Sequence, residues 1–145
     1  MFLGLTGHRL KGWDCLSAGI STHAVSQQDI DSVETELIKM TSNNEVSDEA
    51  VSNVLGSFKS EEIRNHTFSL VNNMDDINRI FSQSSVEAIV ESLQKEKTPF
   101  ASKALKSMEA ASPTSLKVAF RQISNGSKLS SLADVLRMEQ RLVLR

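Results

Sequence analysis

Apolar side chains recur at helical spacing along most of the chain. Residues 26–40 contain an apolar stripe whose members lie three or four residues apart, which is the period of one helix face, at Ile30, Val33, Leu37 and Met40. A second such stripe, over about residues 48–58, comprises Val51, Val54, Leu55 and Phe58. Each stripe has to be buried against another element, so the pattern predicts a mainly α-helical protein built from packed amphipathic helices.

Capping residues mark where further helices begin. Two hydroxyl residues each precede a proline, whose missing N–H costs nothing in a first helical turn, at Thr98-Pro99 and Ser112-Pro113. Residues 84–87 have the spacing of a capping box, in which a serine hydroxyl and a glutamate carboxylate each satisfy a free backbone N–H. Ser131 opens a last helix that we expect to run to Arg145, because no Gly, Asn or Pro stops it.

The region before residue 26 has a different pattern. Residues 13–18 predict a short helix, and Gly19 after them suits a left-handed C-terminal position. Residues 20–25 predict one short strand near the N-terminus, and residues 59–67, which show no clean period, predict a loop. Since no repeat and no Gly/Ser- or Pro-rich linker divides the chain, we expect one helix-rich layer with a single strand.

Both ends of the chain have the character of an element interior. Residues 2–5 are apolar, carry no charge and follow no capping residue, and no stop signal follows the last helix. We therefore expect an exposed apolar face around residues 2–5. A free patch of this kind commonly drives self-association, which is the expected contact between copies of the chain.

Composition and charge exclude several classes of protein. The chain has 145 residues, of which 39% are hydrophobic and 23% are charged, as in ordinary globular domains. Its 16 basic and 18 acidic residues are mixed along the whole length, so no basic face for nucleic acid is indicated. No segment approaches the roughly 20 apolar residues that span a bilayer. Cys15 is the only cysteine, which excludes an internal disulfide.

No set of residues forms a convincing active site by its spacing. Cys15 with His8 or His23 is the first nucleophile–base hypothesis, and the same three residues are the first metal hypothesis. Their spacing matches no recognised ligand pattern, and a half-buried packing cysteine is the more ordinary interpretation. The acidic pairs at residues 61–62 and 75–76 occupy adjacent positions, which do not face each other on a helix. We expect no metal site and no catalytic residue here.

Several segments resemble a known family. Residues 5–14, LTGHRLKGWD, and 18–25, AGISTHAV, resemble the L-T-G-x-R-L-K-G-x-D and A-G-[IL]-A-T-H-x-V stretches of 3-hydroxyisobutyryl-CoA hydrolases, a branch of the crotonase superfamily of enoyl-CoA hydratases and isomerases. Residues 80–90 (IFSQSSVEAIV), 112–117 (SPTSLK) and 136–142 (LRMEQRL) are similar to later blocks of that family. The blocks follow the family's order over nearly the whole chain.

The resemblance implies a fold and an activity. It implies the C-terminal helical part of a crotonase-type α/β fold, with residues 1–25 as the tail end of the spiral core and 26–145 as the C-terminal helical region. Members cleave the thioester of 3-hydroxyisobutyryl-CoA in mitochondrial valine catabolism, part of branched-chain amino acid degradation. They use no cofactor, because coenzyme A belongs to the substrate. Their catalytic Glu, Asp and oxyanion hole lie before the L-T-G element, so this chain alone is predicted to be inactive.

The resemblance also suggests substrate-binding residues. In crotonase relatives the C-terminal helices close over the acyl-CoA channel or form subunit contacts, so Phe100, Lys103, Lys106 and Lys117 are candidates for lining it. Lys117 is the strongest of them because it lies in the SPTSLK block. The plainer interpretation makes Phe100 a core anchor and the lysines solvated surface. His23 is expected to be a hydrogen-bonded structural residue.

Two other functions compete with the hydrolase. The first is a non-catalytic interaction protein, since hydrolase-like proteins serve as components of mitochondrial ribosomes. The second is an enoyl-CoA hydratase, which the blocks at residues 9–12 (RLKG) and 112–117 disfavour. Under the hydrolase hypothesis the partners are the upstream crotonase core and the acyl-CoA substrate. Neither nucleic acid nor a membrane is expected.

Overall fold

The computed structural model describes residues 1–42, 46–58 and 66–144. Within these ranges the protein is mainly α-helical and contains no β-sheet, which confirms the predicted class. The helices are α1 (Phe2–Thr6), α2 (Trp13–Ser17), α3 (Ile30–Ser42), α4 (Asp48–Ser57), α5 (Met74–Ile80), α6 (Val86–Glu96), α7 (Pro99–Glu109), α8 (Pro113–Gly126) and α9 (Leu132–Val143). Single 3₁₀ turns lie at Gln27–Asp29 and Val71–Asn73.

The chain forms two compact units. The first unit combines residues 1–9 with residues 72–145, and the second comprises residues 10–71. The first unit is therefore discontinuous in sequence, because α1 belongs with the helices that follow residue 72.

The core of the first unit lies where α6 packs along α7. The large side chains that are almost completely buried come from α5, α6 and α7, and they are Ile80, Ile89, Leu93 and Met108. Ile89 and Leu93 are four residues apart on α6, so they share one helix face. Leu116 extends this core to α8. The face of α6 that carries Ile89 and Leu93 thus makes the central contact of the unit.

Phe2 and Leu5 of helix α1 are buried, whereas Leu3 is half-buried and Gly4 is exposed. Phe2 and Leu5 are 6% and 2% exposed, which contradicts the apolar surface expected at residues 2–5. The Phe2 ring lies 5.1 Å from the ring of Phe81 in an edge-to-face contact and 5.6 Å from the ring of Phe100. The expectation failed because α1 packs against α7 and α8, helices about a hundred residues later in the chain.

Gly4 of α1 lies against the Ile123 side chain of α8. A Cβ atom at this position would lie 2.6 Å from Cδ1 of Ile123, well inside the about 3.5–4.0 Å of normal carbon contacts. Gly4→Ala should therefore displace the Ile123 side chain, which offsets the roughly 1 kcal/mol that alanine gains over glycine in a helix. In an Ile123→Val background, which lacks Cδ1, the same substitution should stabilise the protein.

A double-mutant cycle measures this coupling. We expect Gly4→Ala and Ile123→Val to show an interaction energy of about 1 kcal/mol in urea unfolding. Gly56→Ala in α4 is the matched control, because nothing lies within 4 Å of a Cβ built there. Additive effects of Gly4→Ala and Ile123→Val would contradict the contact.

Helix starts in the first unit follow the predicted caps, with one correction. Three predicted residues accept a hydrogen bond from the backbone N–H three positions on, and they are Thr98, Ser112 and Ser131. For α6 the cap is Ser85, whose hydroxyl accepts from the N–H of Ala88 at 3.1 Å, so the capping box assigned to residues 84–87 is wrong. Because α6 begins one residue later than that pattern requires, the Glu87 carboxylate is available for another partner.

One side of helix α9 lies against α8, and another side is exposed. Met138 lies beside Gly126 of α8, where a Cβ would be 3.4 Å from its terminal carbon. On another side of α9, Leu132, Leu136 and Val143 are 73%, 54% and 83% exposed. The helix ends at Val143, and Arg145, to which it was expected to run, lies outside the described residues.

The second unit contains α2, α3 and α4. Helix α3 packs against α4, and Val33 is buried on the face that its apolar stripe predicted. Gly19 adopts φ 70°, as expected for a left-handed position after α2. Of the strand predicted over residues 20–25, only an isolated bridge at Val25 is present, since an extended segment needs a neighbouring strand and the described residues supply no sheet. Most of the predicted loop, at residues 59–65, lies outside the described residues.

Candidate functional site

Lys117 faces α6 across a cleft in the first unit. The Ser112 cap and Pro113 start α8, and burial of Leu116 turns the adjacent Lys117 outward. Its Nζ lies 2.5 Å from Oε1 of Glu87, and both side chains are more than half exposed. The hydrogen bond from Lys117 is the main cause that lowers the pKa of Glu87 below its ordinary value. An ion pair this exposed contributes little stability, but it shows that the two walls are within side-chain reach.

The cleft between α6 and α8 has a volume of about 590 Å³. Its polar lining combines two cations with several hydroxyl groups, and the residues are Ser84, Ser85, Glu87, Thr114, Lys117, Arg121, Ser124 and Asn125. Val86, Val118 and Phe120 supply an apolar part. Arg121 was not singled out from the sequence, although it lies four residues after Lys117 and therefore on the same helix face.

The other predicted substrate-binding residues lie elsewhere in the first unit. Phe100 is half-buried and contributes its ring to the cluster around Phe2. Lys103 and Lys106 are exposed on α7, and neither lines the α6–α8 cleft. The structure therefore places Lys117 in a cleft and the other three residues outside it.

A buried carboxylate organises the second unit. Among the described residues Asp14 is the one polar or charged residue that is buried. Its Oδ2 accepts a hydrogen bond from Ser69 Oγ at 2.6 Å, and its Oδ1 accepts from Ser69 N at 3.0 Å and from His66 Nε2 at 2.8 Å. These bonds, led by that from the Ser69 hydroxyl, lower the pKa of Asp14 from 3.8 to about 2. We call Asp14, His66 and Ser69 the Asp14 cluster.

The Asp14 cluster contains a serine, a histidine and an aspartate but lacks the connectivity of a catalytic triad. In a triad the histidine accepts the serine proton while the aspartate holds the other ring nitrogen. Here the Ser69 hydroxyl and the His66 ring both donate to Asp14. The serine proton is thus directed to the carboxylate and not to a base. These hydrogen bonds hold residues 66–69 against α2, so the role of the Asp14 cluster is structural.

The residues considered as a nucleophile–base pair or a metal site make packing contacts and hydrogen bonds only. They are Cys15, His8 and His23. Cys15 is a half-buried free thiol. The ring of His8 packs 5.4 Å from that of Phe2. His23 lies beside a cavity of about 360 Å³, with Nδ1 3.0 Å from the Thr22 hydroxyl and Nε2 3.0 Å from the Ser52 hydroxyl. In the part of the chain that the structure describes, no group of three His, Cys, Asp or Glu side chains could hold a metal ion.

The described helices also bear on membrane insertion. Across residues 1–42, 46–58 and 66–144, none of them combines the length and the apolar character that a membrane-crossing helix requires.

Comparison with known proteins identifies the family. A family model described as enoyl-CoA hydratase/isomerase matches residues 1–145. The mitochondrial 3-hydroxyisobutyryl-CoA hydrolase of Xenopus tropicalis is 46% identical over 144 residues, which are 98% of this chain and 36% of the relative. The corresponding proteins of Xenopus laevis and Homo sapiens are 44% and 42% identical, over 98% and 97% of this chain and 36% of each relative.

The chain belongs to the enoyl-CoA hydratase/isomerase family. Within that family it is related to the mitochondrial 3-hydroxyisobutyryl-CoA hydrolases, and it spans about a third of their length (36%). The resemblance noted from the sequence is confirmed.

Proposed function

We propose that this chain is the C-terminal helical part of a mitochondrial 3-hydroxyisobutyryl-CoA hydrolase, acting in valine catabolism. The observation that carries the proposal is identity of 46% to such an enzyme along 98% of the chain. In this proposal residues 1–25 complete the crotonase spiral core, and residues 26–145 form the helical region that covers it. The acyl-CoA thioester is the substrate of the whole protein.

The catalytic groups of the hydrolase are proposed to lie outside this chain. Two observations in the second unit support this position of the catalytic groups. The carboxylate of Asp14 is occupied by donors from Ser69 and His66, so it is not free to act on a substrate. The His23 ring is bonded to two neighbouring hydroxyls. The role that remains for these helices is to complete the fold and to contact the substrate, with Lys117 as the leading contact and Phe100, Lys103 and Lys106 as further candidates.

A chimeric enzyme tests the proposal. This chain would replace the matching 144-residue segment of the Xenopus tropicalis hydrolase, and hydrolysis of 3-hydroxyisobutyryl-CoA would be followed by release of free thiol. We expect the chimera to be active. The isolated chain should be at least about 100-fold slower, because oxyanion-hole donors alone contribute about 10²–10³ in kcat.

The Xenopus tropicalis protein without the segment is the matched control, and it should lose activity if these helices complete the enzyme. Hydrolysis by the isolated chain would refute the proposed position of the catalytic groups. A chimera that folds, as judged by circular dichroism, yet hydrolyses no thioester would favour the alternative, a non-catalytic interaction protein.

A further inference from the structure

The ring of His23 joins two hydroxyl groups beside a cavity of the second unit. Its Nε2 lies 3.0 Å from Ser52 Oγ, and its Nδ1 lies 3.0 Å from Thr22 Oγ1. Ser52 belongs to α4, so the fold of the unit brings it to His23. A neutral imidazole donates from one ring nitrogen and accepts at the other. When Nδ1 donates to Thr22, Nε2 accepts from the Ser52 hydroxyl.

This tautomer gives Ser52 the connectivity that the Asp14 cluster lacks. In a nucleophile–base pair the histidine takes the serine proton while a third group holds its other ring nitrogen. Thr22 occupies the position of that third group. Because its hydroxyl is neutral, it stabilises a charged imidazolium less than the aspartate of a triad does. We therefore expect an activated serine that is less reactive than that of a complete triad.

The cavity beside this pair can hold the acyl part of a substrate. Its volume is about 360 Å³, and Leu16, Ala24, Leu55 and Gly56 complete its lining. None of the described residues that line it is charged. The volume lies in the lower part of the range of about 300–1,000 Å³ of small-molecule sites. An uncharged cavity of this size suits a short aliphatic chain.

Gly56 leaves space on the side of α4 that carries Ser52. The two residues are four positions apart and therefore share one helix face. Nothing lies within 4 Å of a Cβ atom built at Gly56. Ser52 is exposed, whereas the ring of His23 belongs to a half-buried residue. A carbonyl group can therefore reach Ser52 Oγ from solvent.

We infer that Ser52 is an acyl-accepting nucleophile, with His23 as its general base and Thr22 as a positioning residue. The acyl donor is an activated carboxylic ester with a short aliphatic chain. Ser52 Oγ forms a bond to the carbonyl carbon as its proton passes to His23 Nε2. The bond from that carbon to the ester oxygen then breaks, and the leaving oxygen takes the proton from Nε2. The products are acyl-Ser52 and the free alcohol.

This capacity is separate from the thioester hydrolysis proposed for the whole protein. The His23 ring has both nitrogens bonded, so it acts only through the Ser52 hydroxyl that it already contacts. One transfer leaves the acyl group on Ser52 and the imidazole neutral again.

Acylation of the 145-residue chain by p-nitrophenyl butyrate tests the inference. Release of p-nitrophenolate gives the rate, and peptide mass spectrometry identifies the acylated residues. Ser57 of α4 is the internal reference, because its hydroxyl donates to the Val54 carbonyl at 2.7 Å. We expect Ser52 to react at least about 100-fold faster than Ser57, since a positioned general base contributes about 10²–10⁴-fold. Equal acylation of Ser52 and Ser57 would overturn the inference.

Substitutions separate the base from its support. His23→Gln keeps a hydrogen-bonding side chain that cannot take up the proton, so the rate at Ser52 should fall to that at Ser57. Thr22→Val should slow acylation by roughly two- to tenfold, the effect of losing one hydrogen bond, and Thr22→Ser should restore the rate. Ser57→Ala is the matched control and should leave the rate at Ser52 unchanged.

The role of His23 is refuted if His23→Gln acylates Ser52 at the original rate. That of Thr22 is refuted if Thr22→Ser reacts as slowly as Thr22→Val. Should His23→Gln not fold, as judged by circular dichroism, the two Thr22 variants decide the inference, because both leave the imidazole in place. Neither a thioester nor the chimera is involved, so the result holds whether or not the proposed function is correct.

Discussion

Replacement of Ile89 by alanine should lower the free energy of unfolding by about 2–5 kcal/mol, the range measured for truncating a fully buried isoleucine or leucine. Ile89 is 0% exposed, and it lies on the face of α6 that packs against α7. Truncation removes three carbon atoms from the centre of the first unit and leaves a cavity that α6 and α7 cannot easily close. Since the free energy of unfolding of small domains is about 5–15 kcal/mol, this one substitution should remove a large part of it.

Urea unfolding followed by circular dichroism measures the effect. Val143→Ala is the control, because Val143 is 83% exposed and surface substitutions usually change stability by less than about 0.5 kcal/mol. Equal losses for Ile89→Ala and Val143→Ala would mean that α6 and α7 do not form the core of the first unit.

Loss of the Asp14 carboxylate should destabilise the second unit in a pH-dependent way. The folded-state pKa of about 2 lies below the ordinary value of 3.8, so the unfolded chain takes up the proton first as the pH falls. The contribution of Asp14 is therefore complete above about pH 4 and is lost progressively as the pH falls to about 2. Asp14→Asn should be clearly less stable than the original protein at neutral pH, and the difference should shrink below pH 4.

Trp13 offers a local probe of this effect. It is the only tryptophan in the chain and directly precedes Asp14 in α2, so its fluorescence reports on the second unit. Asp75→Asn, at an exposed position of α5, is the control and should not alter the pH profile of the Trp13 signal. A stability difference between Asp14→Asn and the original protein that stays constant from pH 7 to pH 2 would rule out the carboxylate as its cause.

Local signals predicted most helix starts. A hydroxyl before Pro99 or Pro113 determines where a helix begins through atoms within three residues, so the sequence contains the whole interaction. The correction at α6 also concerns residues that are neighbours in the sequence. Ser84 and Ser85 are both competent caps, and the difference between them depends on how Val86 and Ile89 are buried. When two adjacent residues are equally good caps, only the packing of the helix decides which of them caps it.

Contacts between distant parts of the chain were not predictable in this way. Asp14 bonds to residues 52 and 55 positions later, and no pattern in residues 10–20 specifies those partners. The burial of Phe2 likewise depends on Phe81 and Phe100. The candidate site lies between these cases. Lys117 was predicted from the family resemblance. The cleft around it was not predicted, because it depends on how α6 and α8 are placed relative to each other.

The division of the first unit between residues 1–9 and 72–145 has a consequence for assembly. During synthesis α1 is made before α7 and α8, which bury Phe2 and Leu5 and follow about a hundred residues later. At about 5–20 residues per second, the ribosome makes α7 and α8 several seconds or more after α1. Joining it to its partners then closes a long loop, whose entropic cost grows only slowly with length. Helix α1 is thus enclosed only after α7 and α8 have been made, and a chaperone has its best opportunity to bind this part of the nascent chain in that interval.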